Sequence, residues 1–270
     1  MRVATWRQVM ALVVLPLAGL LGGCATSSGA VMANSTSPTS PTATAVTGGA
    51  ATTTALGATT SPSADPPSTM TPAVTLSPAS LVARVVAADG DLGKGSRVKL
   101  IQGGDQVAGQ VTLDNCGYHF TSEAHRVARR QVIVYGADGQ RIGANEVVAY
   151  DSADQAVKAL TEFRASVTGC PKNAFVHSTV AGVPDLRYAG VLTTDPALPV
   201  ADNAVDTVTL TVKGSLKHQY GVLIFQRQGR VLDGVYLEAS APLTVSARAG
   251  LQRLAGFTGR RLADTAPASA

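Results

Sequence analysis

The sequence predicts an α+β fold in which an antiparallel sheet, built from hairpins, carries helices packed on one face. Three observations predict it: two hairpin patterns with tight turns, a helical pattern after each hairpin, and strand segments whose apolar side chains alternate with polar ones. The predicted globular domain spans residues 77–264 of the 270-residue chain, and a disordered tail follows at 265–270.

The first 23 residues are typical of a secretory signal peptide. Arg2 and Arg7 precede an uncharged, mostly apolar run from Val9 to Leu21. This run is shorter than the length that a membrane-spanning helix needs. The run ends in Leu21-Gly22-Gly23-Cys24, which resembles the lipobox of bacterial lipoproteins, whose Cys thiol accepts a diacylglycerol. We therefore expect Cys24 to carry lipid, with long acyl chains such as palmitate, and to hold the chain at the extracytoplasmic face of the cell membrane. The alternative is an uncleaved signal anchor with an incidental cysteine.

Residues 24–76 are predicted to be a stalk. From Ala25 to Leu76 the chain is rich in Ser, Thr, Ala, Pro and Gly, and Asp65 is its only ionisable side chain. This composition buries too little apolar surface to offset the entropy of ordering, so we expect disorder. A flexible coil of this length spans about 40 Å root-mean-square. The Ser and Thr content fits O-glycosylation, and an unmodified linker is the alternative.

The first ordered elements are expected from Ser77 onwards. Ser77 is a good helix cap and Pro78 a good first helical residue, so a short helix is predicted to about Ala88. A strand is expected around Gln110 to Asp114, leading into Cys116.

A hairpin and a helix follow. Strand patterns at Arg130–Tyr135 and Glu146–Tyr150 flank Asp138-Gly139, a favoured turn pair. Ser152 then caps a helix that ends at Gly169-Cys170-Pro171. The apolar side chains that should face the sheet recur at helical spacing: Ala156, Val157, Leu160, Phe163 and Val167.

The C-terminal third repeats this order. Strands are predicted at Val205–Lys213, Gly221–Arg227 and Val231–Leu237, with a tight turn at Gln228-Gly229, and Pro242 opens a helix that extends to about Leu262. Matching segments of the two hairpins lie 90 positions apart, which suggests a strand-hairpin-helix pseudo-repeat. Chance similarity of two common units is the alternative.

Cysteine usage agrees with export. If Cys24 carries lipid, Cys116 and Cys170 can form an intramolecular disulfide only with each other, and an oxidising exterior would favour that bond. The alternative is a pair of buried free thiols.

Composition and motifs argue against several classes of function. The formal net charge is +4, two basic residues lie in the leader, and aromatic residues are only 4% of the chain, so we expect no nucleic-acid binding. Neither a nucleophile elbow nor a phosphate-binding loop occurs, and no His or Cys spacing fits zinc. The acidic loop from Asp195 to Asp206 does not match an EF-hand. We therefore expect a protein that is not an enzyme and holds no cofactor or metal.

The densest polar cluster precedes and enters the first hairpin. The guanidinium groups of three arginines there could form bidentate hydrogen bonds with a carboxylate or phosphate, so Arg126, Arg129 and Arg130 are the candidate anion contacts. The alternative is a solvated edge in which Glu123 pairs with Arg126.

Several segments carry a family resemblance. The chain resembles actinobacterial sensor-domain lipoproteins in five features. These are the lipobox, the Thr/Pro-rich stalk, Asp114-Asn115-Cys116-Gly117, Arg129-Arg130-Gln131 and the run from Phe225 to Tyr236. More distantly, the region from Leu76 to Ala263 is similar to the extracellular sensor domain of the mycobacterial receptor Ser/Thr kinase PknH. The resemblance implies a disulfide-braced sensor domain with a cleft for an unidentified ligand, although that kinase domain has two disulfides and only one can form here. It implies no catalytic residues.

Taken together, the sequence predicts a membrane-anchored extracellular lipoprotein with a non-catalytic sensor or ligand-binding domain. Its expected partners are the membrane, through the lipid on Cys24, and an unidentified small molecule or envelope component. One alternative is a structural or interaction scaffold of the cell envelope with a protein partner. A minor alternative is an envelope hydrolase.

Overall fold

A computed structural model of the chain describes residues 76–177 and 184–266. The predicted leader, Cys24 and the stalk up to residue 75 lie outside the described residues, as do residues 267–270 of the predicted tail, so the domain boundaries stay predictions. Among the described residues, no helix is both long and apolar enough to cross a membrane.

The described elements are three helices, a short 3₁₀ helix and seven strands. The helices are α1 (Pro78–Val85), α2 (Ala153–Thr168) and α3 (Val245–Thr265), and the 3₁₀ helix is Thr121–His125. The strands are β1 (Arg97–Leu100), β2 (Arg126–Tyr135), β3 (Arg141–Tyr150), β4 (Leu186–Thr193), β5 (Asn203–Val212), β6 (His218–Gln228) and β7 (Val231–Ala239).

The strands form one open antiparallel sheet in the order β1-β2-β3-β7-β6-β5-β4. The predicted α+β class is therefore confirmed. The two predicted hairpins, β2-β3 and β6-β7, lie side by side, and their second strands pair at the centre, where Val147 is opposite Asp233. Both turn glycines have a positive φ, +75° at Gly139 and +51° at Gly229, a conformation that glycine adopts without steric cost.

The helices cover both faces of the sheet, which differs from the single helical face expected from the sequence. One core contains Val147, Ile224 and Val235 of the sheet with side chains of α1 and α3. The other contains the neighbouring residues Val148 and Phe225 with α2. Because successive side chains of a strand point to opposite faces, strands that are apolar on both sides require cover on both sides.

The element order of the expected pseudo-repeat is present, since β2-β3-α2 and β6-β7-α3 follow one another along the chain. However, α2 and α3 pack on opposite faces. A rotation about the normal to the sheet would place one hairpin on the other, but α2 and α3 would remain on opposite faces. The two units therefore repeat the order of elements along the chain and not their arrangement in space.

Helix starts follow local capping chemistry. Ser77, Ser152 and Thr244 each accept a hydrogen bond from a backbone N–H in the first turn of α1, α2 and α3. The third helix therefore begins at Val245, after Thr244, and not at Pro242 as expected. Helix α1 ends at Val85, three residues earlier than predicted.

The strand predicted at Gln110–Asp114 is wrong, because this segment is a loop. Side chains satisfy its backbone groups in place of a neighbouring strand. The amides of Thr112 and Leu113 donate to the Glu123 carboxylate at 2.9 and 3.2 Å, and the Gln110 carbonyl accepts from Arg126. The segment is therefore held by hydrogen bonds from side chains and not by strand pairing.

Candidate functional site

A small cleft lies on the α2 face of the sheet. Its floor is formed by Leu223 and Phe225 of β6 and Tyr236 of β7, one wall by Phe163 of α2, and the other by the loop Thr112–Asn115. The cavity volume is about 10 Å³, which is room for about one water molecule. As the loop stands, the cleft is nearly filled.

Aromatic packing shapes the floor. The rings of Phe163 and Phe225 lie 4.5 Å apart between centroids. Phe225 lies directly over Gly234, where a Cβ would come within 2.7 Å of the ring. The absence of a side chain at Gly234 therefore lets the Phe225 ring rest on the sheet. At the other end, the Tyr236 hydroxyl accepts from Gln131 Nε2 and lies 3.4 Å from Glu146 Oε2.

Arg126 ties the loop to the start of β2. Its Nε donates to the Glu123 carbonyl at 3.0 Å, its Nη1 to Thr112 Oγ1 at 2.9 Å, and its Nη2 to the Gln110 carbonyl at 2.5 Å. It also forms an ion pair with the Glu123 carboxylate at 3.3 Å, with the two side chains only 6% and 17% exposed. The pairing of Glu123 with Arg126 was one of the expected alternatives, but it is buried and not solvated.

Arg129 holds the preceding part of the same loop. Its Nε pairs with Glu146 Oε1, its Nη1 donates to the Gly103 carbonyl at 3.1 Å, and its Nη2 donates to Gln131 Oε1 at 2.5 Å. Thr112 Oγ1 donates to the same Glu146 oxygen at 2.8 Å. One buried network therefore connects the loop, β2, β3 and, through Tyr236, the cleft.

The predicted anion contacts do not form one patch. Arg126 and Arg129 lie together beneath the loop, whereas Arg130 is opposite Val147, whose side chain belongs to the core on the other face. The donors of Arg126 and Arg129 bind protein groups. Anion binding by these three residues stays a prediction.

Two glutamates near the loop titrate differently. Burial raises the pKa of Glu123, although Arg126 and the amides of Thr112 and Leu113 act in the opposite direction. Burial also opposes ionisation of Glu162, but its carboxylate accepts from the amides and hydroxyls of Thr121 and Ser122 at 2.6–3.1 Å, and these bonds lower its pKa. Glu162 thus attaches the 3₁₀ helix to α2.

A disulfide and a hydrogen bond fasten the far end of the loop to α2. Cys116 and Cys170 are joined, with 5.8 Å between their Cα atoms, as the cysteine count led us to expect. Next to them, Asn115 Nδ2 donates to Ser166 Oγ at 3.1 Å. The loop wall of the cleft is therefore anchored at both ends.

The sequence interpretation missed a buried carboxylate on the opposite face. Asp233 accepts from Asn145 Nδ2 and Thr258 Oγ1, both at 2.6 Å, and from Gln226 Nε2 at 3.3 Å. Burial raises its pKa to about 7 despite these bonds, and burial likewise raises the pKa of Asp206 to about 6. An acidic residue at an inward position between Val231 and Val235 was the available signal.

Other charged groups form pairs or clusters of three: Asp202 lies between Arg164 and Arg227, and Asp185 between His177 and Lys213. His125 Nδ1 lies 2.8 Å from Asp151 Oδ2, and both are well exposed. In residues 76–177 and 184–266, no three His, Cys, Asp or Glu side chains come together as metal ligands would. The expectation that no metal or cofactor is held stays a prediction.

Comparison with known proteins gives little. No protein-family model matches the sequence, and neither does any curated protein. Among solved structures, the chain is similar to the crystal structure of the extracellular domain of PknH from Mycobacterium tuberculosis. The two are 11% identical, the match covers 66% of this chain and 95% of that one, and the TM-score is 0.41. At that identity and score, the similarity establishes neither family nor function.

Proposed function

We propose that the chain is an extracytoplasmic, lipid-tethered protein whose folded domain binds a small ligand in the cleft between Thr112–Asn115 and α2, without catalysing a reaction. The observation that carries the proposal is the lining of the cleft. Aliphatic and aromatic side chains form its floor, and a few polar residues, including Thr112 and Asn115, line its loop wall. Small-molecule sites typically combine an apolar surface with a few placed polar groups.

The shape of the cleft restricts the ligand. A volume of about 10 Å³ admits one water molecule, so a larger ligand must displace the loop between its anchors. The aromatic rings of Phe163 and Phe225 favour a flat or aliphatic group, and the polar side chains of the loop wall, Thr112 and Asn115, favour a group that forms hydrogen bonds. We therefore expect a ligand with an apolar body and at least one polar group.

The proposed tether and compartment depend on sequence features at the amino end of the chain. The lipobox pattern at Cys24 predicts acylation, and the Ser/Thr/Pro-rich segment that follows predicts a stalk long enough to lift the domain above the lipid headgroups. The Cys116–Cys170 disulfide is consistent with an oxidising compartment.

A thermal-shift screen with a matched pair of variants tests the cleft. The probes are fatty acids, aromatic acids and envelope sugars. A ligand at 100 times its Kd stabilises the fold by about 2.7 kcal/mol, which raises Tm by about 5–10 °C in a domain of this size. Leu223→Phe should fill the cleft and abolish the shift. Val222→Leu, on the same strand but in the opposite core, should retain it.

Either of two results would count against the cleft. One is an absence of stabilisation by every probe at millimolar concentration. The other is a Tm shift of equal size in wild type and Leu223→Phe, since a ligand that ignores the filled cleft binds elsewhere.

A second candidate function, an interaction scaffold, is favoured by the edge strand β4. This eight-residue strand ends the sheet and is bridged on its outer side to Val176 at Leu186; it carries only Arg187 as a charge, and its Val191 is 63% exposed. The opposite edge, β1, has only four residues, including Arg97 and Lys99. Short or charged edges resist pairing with other chains, whereas long uncharged ones invite it.

Crosslinking in intact cells separates the candidates. If β4 receives a partner strand, Val191→Lys should remove the crosslinked species, and Leu216→Lys, at a 98% exposed turn position, should not. A crosslink that survives Val191→Lys would exclude this edge as the contact.

A further inference from the structure

The helical layer formed by α1 and α3 is strongly basic. The two helices pack against each other on one face of the sheet and together contain five arginines and a single acidic residue. These residues are Arg84, Arg248, Arg253, Arg260 and Arg261, with Asp264. Helix α2, on the opposite face, contains two basic and two acidic side chains and is neutral. The helical layer on one side of the sheet is therefore basic, whereas the helix on the other side is neutral.

Most of these guanidinium groups are available to an outside partner. Arg84, Arg248, Arg253 and Arg260 are exposed. Within the described part of the chain, no ion pair involves any of the four. Arg253 and Arg260 are seven residues apart, so they lie on one side of α3, separated by about 10 Å. Arg261 differs, because it binds the Val86 carbonyl at 2.9 Å and Asp91 at 2.7 Å.

A half-buried aromatic ring lies between these arginines. The guanidinium of Arg260 lies 5.7 Å from the centroid of the Phe257 ring, and that of Arg261 lies 4.7 Å from it. Stacking on the ring limits the conformations of Arg260 while leaving its donors exposed. The surface is therefore partly ordered before anything binds to it.

The chain enters the domain in this same layer. Leu76 precedes Ser77, the cap of α1, and its carbonyl accepts from Arg230 Nη2 at 3.4 Å. The 51 residues from 25 to 75 connect this point to Cys24. Whether a lipid or a retained leader holds the amino end in a bilayer, the predicted stalk would keep the helical layer at millimolar effective concentration near the headgroups.

We infer that the exposed surface of α1 and α3 docks on anionic phospholipid headgroups of the membrane that holds the amino end. The basis is charge complementarity, since each arginine near an anionic bilayer surface increases the binding constant by about fivefold. An anchor combined with a basic patch is a known two-part arrangement for peripheral attachment. Docking in this orientation turns the α2 face, with its cleft, away from the bilayer. The inference does not depend on ligand binding in that cleft.

Energy transfer to a lipid probe tests the orientation. Trp6→Phe removes the single tryptophan of the full chain. A new tryptophan is then introduced by Phe257→Trp in the basic layer or by Tyr118→Trp as the control. Tyr118 is 42% exposed and packs on Phe120 in the α2-side core. Each protein is reconstituted in vesicles that contain a dansyl lipid, either of pure phosphatidylcholine or with about 30% phosphatidylglycerol, which supplies the anionic headgroups.

Docking predicts strong energy transfer from the indole of the Phe257→Trp protein only in the anionic vesicles. The transfer should be lost at high salt and when Arg253→Gln/Arg260→Gln is added, since removing two arginines should shift the docking equilibrium about 25-fold. Arg253→Lys/Arg260→Lys should retain most of the transfer, because the attraction is to charge. Circular dichroism melts of each variant report whether the fold is intact.

Three outcomes would overturn the inference. Equal transfer from the Phe257→Trp protein in both kinds of vesicle would show no preference for anionic lipid. Stronger transfer from the Tyr118→Trp protein than from the Phe257→Trp protein would show the opposite orientation. Full transfer in a correctly folded protein that also carries Arg253→Gln/Arg260→Gln would show that these arginines do not hold the contact.

Discussion

Arg129 Nε and Glu146 Oε1 lie 2.5 Å apart, and both side chains are only 2% exposed. The pair lies beneath the loop that forms one wall of the cleft, and the remaining donors of Arg129 bind Gly103 and Gln131. Removing one partner of a buried pair leaves an uncompensated charge, which is far more costly than removing both. The stability of the cleft wall therefore depends on this ion pair being complete.

Arg129→Met should lower the free energy of unfolding by about 3–5 kcal/mol, because Glu146 loses its charged partner. Urea denaturation of the purified chain measures the loss. Arg130→Met is the matched control, since no side-chain hydrogen bond or ion pair involves Arg130 among the described residues, and it should change stability by about 0.5 kcal/mol or less. Equal effects of the two substitutions would contradict the structural role assigned to the pair.

Two glycines in α3 should respond in opposite directions to alanine. At Gly259, an added Cβ would clash with Oε1 of the buried Gln226 side chain, whereas at Gly256 its nearest neighbour is Arg260 Nη1 at 3.8 Å. Gly256→Ala should therefore stabilise the fold by about 0.5–1 kcal/mol through helix propensity, and Gly259→Ala should destabilise it by about 1–3 kcal/mol. Thermal melts of both variants measure the two effects. Stabilisation by Gly259→Ala would mean that α3 is less closely packed on β6 than described.

The buried carboxyl of Asp233 should make the fold less stable as pH rises towards neutrality. Burial raises its pKa to about 7, whereas the unfolded value is about 4. Between these values the folded chain binds more protons than the unfolded chain, so the free energy of unfolding falls with increasing pH, by up to about 1.4 kcal/mol per unit. Asp206, with a pKa raised to about 6, adds to the slope below pH 6.

Denaturation curves between pH 5 and 7.5 measure this slope. Asp233→Asn should remove most of it, and Asp206→Asn should remove a smaller part that is confined to lower pH. A wild-type slope that persists in Asp233→Asn would assign the titration to another group.

The disulfide should contribute strongly to stability. Replacing both Cys116 and Cys170 by Ala releases a link across 54 residues, for which the chain-entropy model gives a loss of about 4 kcal/mol. Urea denaturation with and without dithiothreitol provides the check: reduction should destabilise the wild type and leave the double variant unchanged. If reduction had no effect on the wild type, the two thiols would be free in solution.

Local chemistry explains what the sequence predicted well. The turns at Gly139 and Gly229 and the caps Ser77 and Ser152 depend on residues within a few positions of one another, so hairpins and helix starts could be predicted. The pairing of β3 with β7 joins residues about 90 positions apart. No local pattern indicates such a pairing, and the sheet order could not be predicted.

The missed elements have physical reasons too. Strand β1 is short and exposed, with an irregular pattern, so periodicity did not reveal it. The loop at Gln110–Asp114 is held by Arg126 and Glu123 rather than by strand neighbours, and its strand-forming residue types alone predicted a strand. Two of the three arginines interpreted as anion contacts, Arg126 and Arg129, lie in an inward-facing network, because a strand that starts beneath a loop buries side chains that would otherwise be exposed.

Intact-mass spectrometry of the protein extracted from its native membrane tests the proposed tethering most directly. The account predicts a chain that begins at Cys24 and carries the mass of a diacylglyceryl group on that residue. An unmodified amino end with residues 1–23 still attached would contradict it.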